Sequence, residues 1–296
     1  MSAEADAITA ASGSNLALAL RVLPRGRRSD MRIFYAFCRI VDDLADEPHL
    51  SLEERRAGLL AWREALGDAP KTQVAPPLAG ALREVLQRHG VPVSWALEVV
   101  YGCEMDLAGT RYKNWEELRK YCYRVASAVG LVSARIFGGR KCDRYAEELG
   151  LALQLTNILR DAAEDFTVSQ RVYLPADELE RFGVQPGTWV HSEPKGWSAL
   201  MQFQAARARM HYAAAVAALP PEERRVMVAA EIMRKVYEAL LTRMEKDGFR
   251  VWERRYKLTR FRKTWLAASM FAKTMLATAG QADAINEKLP YIRRVL

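Results

Sequence analysis

The sequence predicts an all-α fold, a helical bundle in one domain, and three observations carry that prediction. Alanine, leucine, arginine and glutamate dominate the 296 residues, a mixture that favours helix. Apolar residues recur at three- and four-residue spacing, as in Phe34, Phe37, Val41 and Leu44, so that one face of a segment is apolar. No alternating strand series and no fixed-period repeat interrupts the pattern. Half the residues are hydrophobic (50%), enough for a sizeable core, and no linker marks a second domain. The expected boundaries are a disordered segment at 1–13, small and polar, and one domain over 14–296.

Proline and glycine punctuate about ten helices. Ser14 to Leu23 begins the first, and Pro24 interrupts it. The run from Pro24 to Asp30 reads as a basic turn, with Arg25, Arg27 and Arg28 as surface charges. Met31 to Asp46 follows, and Pro48 ends it. Ser51 caps the next helix, with Glu54 three residues on to complete a capping box. After a loop over Gly67 to Pro77, Leu78 to His89 is helical and Gly90 closes it. Val93 to Ala108, Trp115 to Phe137 and residues 141–165 come next, with Gly138 and Gly139 ending the second of these. A turn-rich connection over Gly183 to Pro194 leads to Ser198–Leu219, which Pro220 and Pro221 stop. Glu222 to Lys246 is broken by Gly248, and a last helix runs to about Ala279.

The formal net charge of +8 points to a polyanionic small molecule or an anionic membrane surface. A nucleic-acid partner is not expected, because the aromatics do not interleave with the basic residues. Cys38, Cys103, Cys122 and Cys142 form no Cys-x-x-Cys pair and sit in apolar helical contexts. Reduced thiols and a cytoplasmic location follow as expectations. Four scattered histidines offer no zinc site. Leu16 to Leu20 is too short for a signal peptide, and Trp265 to Ala279 contains Lys273 and falls short of a ~20-residue span. Arg250, Arg254, Arg255, Lys257, Arg260, Arg262 and Lys263 precede Trp265, Leu266, Met270 and Phe271. That order suits peripheral contact with the inner face of a membrane. It suits equally a helix packed on the core with its charges solvated.

The chemistry gathers in two stretches. In the helix around 151–165, Asn157, Asp161 and Asp165 stand four residues apart, with Glu164 beside them. Residues three and four apart share a helical face, so these side chains form one polar stripe on an otherwise apolar helix. Hard oxygen ligands in a row suit Mg²⁺, which commonly takes one or two carboxylates plus substrate phosphates. Arg160 and Arg171 lie next to the stripe as phosphate partners. Alone, such a stripe is more often a solvated acidic face than a metal site. A second copy changes the balance: in CRIVDDLADE, Asp42 and Asp46 are again four apart, with Arg39 one turn earlier and Tyr35 on the same face. Two acidic helices with neighbouring arginines make a cage for a diphosphate and its Mg²⁺ ions. Glu104 and Asp106 point in different directions on their helix, and no role is expected of them.

YAFCRIVDDLADE and QLTNILRDAAED…RVYLP resemble the two aspartate-rich motifs of the squalene/phytoene synthase family, and YCYRVASAVG from Tyr121 resembles a third family block. The likeness runs from about Ser14 to near Lys263. It implies an isoprenoid-synthase-type bundle around a central cavity. Asp42, Asp46, Asn157, Asp161 and Asp165 would then be metal ligands, with the four aspartates and Tyr121 in the catalytic set. Ser14, Tyr35, Arg39, Gln154, Asn157, Arg160, Arg171 and Tyr237 would contact the substrates. Ser14 alone matches a serine-rich patch that contacts diphosphate, and Gln170 stands where the family usually has glycine. Ala126, Ser127, Ala128 and Gly130 would line the isoprenoid tunnel, although small residues equally serve tight helix packing.

The RVASAVG block is most similar to bacterial presqualene-forming members. The implied reaction joins two farnesyl diphosphates into presqualene diphosphate, in squalene and hopanoid biosynthesis, with Mg²⁺ or Mn²⁺. NADPH is not expected, as no glycine-rich dinucleotide fingerprint is present. The alternatives are phytoene from two geranylgeranyl diphosphates, NADPH-dependent squalene synthesis, and an inactive helical assembly factor.

Overall fold

Pro24 begins a helix rather than breaking one. The structure, a computed structural model, describes residues 22–47, 49–67 and 75–272 together with Leu20 and Thr274. The first described helix, α1 (Arg25–Asp46), starts directly after Pro24, whose extended backbone suits a cap position. Its carbonyl accepts the Arg28 N–H at 2.9 Å. The basic run is therefore the first turn of α1 and not a connecting turn. Arg25 is exposed as expected, but Arg27 donates to the carbonyl of Phe137 and Arg28 to that of Leu23. One guanidinium ties the start of α1 to Phe137, the other closes back on Leu23, and neither is a free surface charge. The expected disordered segment 1–13, Ser14 and Pro48 lie outside the described residues.

The chain continues through α2 (Leu52–Leu66), α3 (Ala79–His89), α4 (Val93–Leu107) and α5 (Trp115–Cys122). It then runs through α6 (Ala128–Phe137), α7 (Asp143–Ser169), the short α8 (Ala176–Arg181), α9 (Trp197–Ala218) and α10 (Val228–Lys246). A final helix, α11, is described over 260–272. Among the described residues there is no strand. The capping box at α2 forms in both directions: Ser51 N–H donates to Glu54 at 2.8 Å, and Glu54 N–H donates to the Ser51 hydroxyl at 3.2 Å. Gln170 closes α7 at φ 57°, a left-handed position that favours glycine, which accounts for the residue the family usually places there.

Two expected helices are interrupted. Trp115 to Phe137 carries a π-helical turn over Tyr123–Ser127 between α5 and α6. Gly150 of α7 lets this turn come close: a Cβ at Gly150 would stand 2.5 Å from the Ser127 Cα. Ser127 also donates to the Glu147 carbonyl at 2.8 Å. The expected helix from Glu222 instead opens with a 3-10 turn at Pro221–Glu223, and α10 begins only at Val228. The Glu223 carboxylate is engaged elsewhere, accepting the N–H groups of Arg140 and Lys141.

α7 is the axis of the bundle. It packs on α9, α6, α10, α5 and the π turn, while α1 packs on α4, α3, α2 and α6. One hydrophobic core runs through all of these helices. The two acidic helices thus stand on opposite sides of a space that α4, the π turn and α6 close off.

Candidate active site

That space is a cavity of about 450 Å³, within the range for small-molecule sites. Tyr35, Arg39, Asp42, Asp106, Tyr121, Gln154, Asn157 and Tyr237 supply its polar lining. Met31, Phe34, Val129, Leu149, Leu153 and Met233 supply apolar wall. The lining follows α6 as far as Phe137, the end remote from Tyr121. One end is therefore polar and charged and the other greasy, the shape of a ligand with an anionic head and a hydrocarbon tail.

Arginines join the two motifs. Arg171, just past α7, reaches Asp46 of α1 at 2.6 Å. Arg39 pairs with Asp42 at 3.2 Å and with Asp43 at 2.7 Å. Asp161 lies between Arg160 at 2.8 Å and Arg255 at 2.9 Å, and Arg255 also reaches Glu164. Asp46, Asp161 and Asp165 are not part of the cavity lining; Arg171 links Asp46 to the Asp106 carbonyl at its polar end. Ser14 lies outside the described residues. Arg124 turns away, pairing with Glu98 at 3.0 Å, so of its block it is Val125, Ala126, Val129 and Gly130 that face the cavity.

The residue that sequence reasoning missed is Asp106. It lines the cavity between the motifs and accepts from the Tyr121 hydroxyl at 2.8 Å and the Tyr173 hydroxyl at 2.7 Å. The Tyr121 and Tyr173 rings stack with centroids 5.1 Å apart. Burial pushes the Asp106 carboxyl up, against the Arg171 charge and the two phenols. Burial and then Asp106 hold Tyr121 well above the usual tyrosine range, so it stays a neutral donor. No motif marks Asp106; only the fold brings it beside Tyr121.

The carboxylates crowd one another. Burial and then the Asp46 charge push Asp42 up to about 6. Burial and then Asp161 push Asp165 up to about 7. The Asn157 side-chain oxygen is buried without a hydrogen-bond partner. Among the described residues no three His, Cys, Asp or Glu side chains converge on one point. Crowded acids and an orphaned amide oxygen fit divalent cations whose shells are completed by substrate phosphates and water, not an all-protein cage.

Asp165 makes this crowding measurable. Its folded pKa exceeds the ordinary 3.8, so its contribution to stability is whole below pH 3.8 and is lost as the pH rises to about 7. Asp165→Asn keeps the shape and removes the charge. In chelator-treated protein at pH 8 it should raise the Tm by roughly 2–4 °C, about 1 kcal/mol after solvent screening. The gain should vanish near pH 4. Thermal unfolding across that range checks it, and equal Tm values at pH 8 count against the repulsion.

A family model for squalene/phytoene synthase matches residues 9–262. A phytoene synthase of Mycobacterium tuberculosis is 34% identical over 283 residues, covering 94% of this chain and 92% of that protein. A presqualene diphosphate synthase of Rhodopseudomonas palustris is 38% identical over 248 residues, covering 81% of this chain and 86% of that protein. The crystal structure of a ligand-bound dehydrosqualene synthase superposes with a TM-score of 0.79 at 25% identity, covering 94% of this chain and 96% of that one. An all-helical fold, a cavity lined by residues of both aspartate-containing helices and these likenesses agree: the chain belongs to the squalene/phytoene synthase family of prenyltransferases.

Proposed function

We propose that the chain joins two farnesyl diphosphates head to head, releasing inorganic diphosphate and forming presqualene diphosphate. Magnesium, or manganese in its place, takes part and NADPH does not. The observation that carries the reading is the meeting of both aspartate motifs at the polar mouth of an apolar cavity. The relatives divide between phytoene and presqualene diphosphate synthases, and the RVASAVG block along the cavity wall favours the second.

Asp42, Asp46, Asn157, Asp161 and Asp165 would hold the divalent ions, whose chemistry is to neutralise the departing diphosphate. Arg39, Arg160 and Arg171, now paired with these acids, supply charge-assisted donors to phosphate oxygens. Tyr35, Gln154 and Tyr237 position the substrates from the cavity lining, and Ser14 would add a further diphosphate contact. The C1–O bond of the first substrate breaks, and the diphosphate leaves with the electron pair. The double bond of the second substrate attacks the allylic cation. Loss of one proton then closes a cyclopropane. The Tyr121 ring stabilises the cation through its face, and the Tyr121–Asp106 pair takes the proton. The apolar wall keeps out water that would quench the cation.

The test is incubation of purified protein with farnesyl or geranylgeranyl diphosphate and Mg²⁺, with and without NADPH. A cyclopropyl diphosphate from farnesyl diphosphate, unchanged by NADPH, is expected. Squalene formed only with NADPH moves the chain to the bifunctional class. Phytoene from the longer substrate, with no farnesyl activity, rejects the reading. In the same assay Tyr121→Phe should slow turnover about 100-fold; an unchanged rate removes the phenol from the proton route.

A further inference from the structure

α11 carries apolar side chains on both its inner and its outer face. Leu266 and Met270 pack on the core and Ala267 is buried, as core packing of this segment requires. The opposite face should then be polar, yet Phe261 is 82% exposed, Trp265 60% and Phe271 40%. Positions 261, 265, 268 and 272 follow one another by four, three and four, so Phe261, Trp265, Ala268 and Ala272 form one outward stripe. Exposed Lys257, Arg260 and Arg262 flank it, and their side chains meet no acidic partner among the described residues. Three other basic residues of the segment are engaged: Arg250 and Arg254 pair with Glu253, and Arg255 with Asp161.

We propose that this face docks on an anionic phospholipid bilayer. An aromatic stripe with a cationic rim matches the boundary between acyl chains and anionic headgroups, where Trp and Phe settle and Lys and Arg meet phosphate. A second copy of the chain fits poorly, because an isologous contact would bury the same cationic rim from both sides with no acid on the face to pair it. Arg255, five residues before the helix, reaches Asp161 at 2.9 Å and Glu164 at 3.0 Å, so the segment lies beside the second acidic motif. Docking would set the mouth of the cavity near the lipid. The inference rests on the surface alone and stands apart from the reaction proposed above.

Co-sedimentation tests it with the full-length protein and no substrate. The vesicles are phosphatidylcholine alone or phosphatidylcholine mixed with phosphatidylglycerol. The protein should pellet with the mixed vesicles at low salt and be released at high salt. Phe261→Ser with Trp265→Ser should lower partitioning at least tenfold, and Arg260→Glu with Arg262→Glu should do the same. Both double variants should keep the wild-type circular dichroism and Tm. Wild-type protein left in the supernatant with anionic vesicles at low salt overturns the proposal. So does wild-type binding by the Phe261/Trp265 variant. A lowered Tm in that variant together with no vesicle binding by the wild type would show that the chain beyond Thr274 covers this face instead.

Discussion

Replacing Asp161 by alanine is expected to lower turnover about a thousandfold or more, several kcal/mol of transition-state stabilisation. Asp161 is the most enclosed acid of the mouth for which ion pairs are formed on both sides, with 14% of its side chain exposed between Arg160 and Arg255. Its loss removes a ligand for the divalent ions and strands the Arg160 guanidinium, itself only 16% exposed. The helical fold should persist, because α7 is anchored by Leu155, Ile158 and Leu159 on its buried faces. Asp42→Ala should behave alike from the other helix. Steady-state turnover and far-UV circular dichroism measured on the same preparation decide the matter. Either variant working near the wild-type rate with a native spectrum would sink the two-motif reading.

Gly150→Ala should be a severely damaging single methyl. The added Cβ would meet Ser127 Cα at 2.5 Å, Ser127 N at 2.6 Å and the Ala126 carbonyl carbon at 2.8 Å. All three are main-chain atoms, so no rotamer change relieves the clash. α7 and the π turn must separate along a contact that also carries the Ser127–Glu147 hydrogen bond. Overpacking of this kind costs about 3 kcal/mol or more, a fall in Tm of roughly 6–12 °C. Because the π turn forms part of the cavity wall, activity should fall with it. A Tm within a degree of wild type would show that the two helices can part freely. Gly80, whose Cβ would meet nothing within 4 Å, is the control position.

Much of this was legible in the chain because it is local. Apolar spacing placed the helices, and the capping box at Ser51 and the glycine at Gly90 marked their ends where the structure has them. The four-residue spacing of Asp42 with Asp46, and of Asp161 with Asp165, gave a polar stripe on each of two helices. What failed was long-range. Asp106 has no partner within a helical turn; its partners, Tyr121 and Tyr173, lie 15 and 67 residues away. Arg27 looked like a surface charge because Phe137, whose carbonyl it serves, is 110 residues distant. Arg255 stood in a basic run that gave no sign of its reach back to Asp161 and Glu164. The outward side of Phe261 and Trp265 likewise depends on which face of α11 the core takes, and an apolar run does not encode that.

The π turn leaves a numerical trace that no motif records. Tyr121, Val125, Val129, Ser133 and Phe137 all line the cavity, and each follows the last by four residues. In an α-helix four residues overshoot one revolution by about 40°, so four such steps drift by about 160° and the last residue would look nearly backwards. The wider winding over Tyr123–Ser127 turns each residue through less than the α angle and cancels much of that drift. The turn acts as a phase corrector: a strict period of four, which a plain helix cannot keep on one side, stays aimed at a single tunnel from the phenol at its mouth to the phenyl ring at its far end.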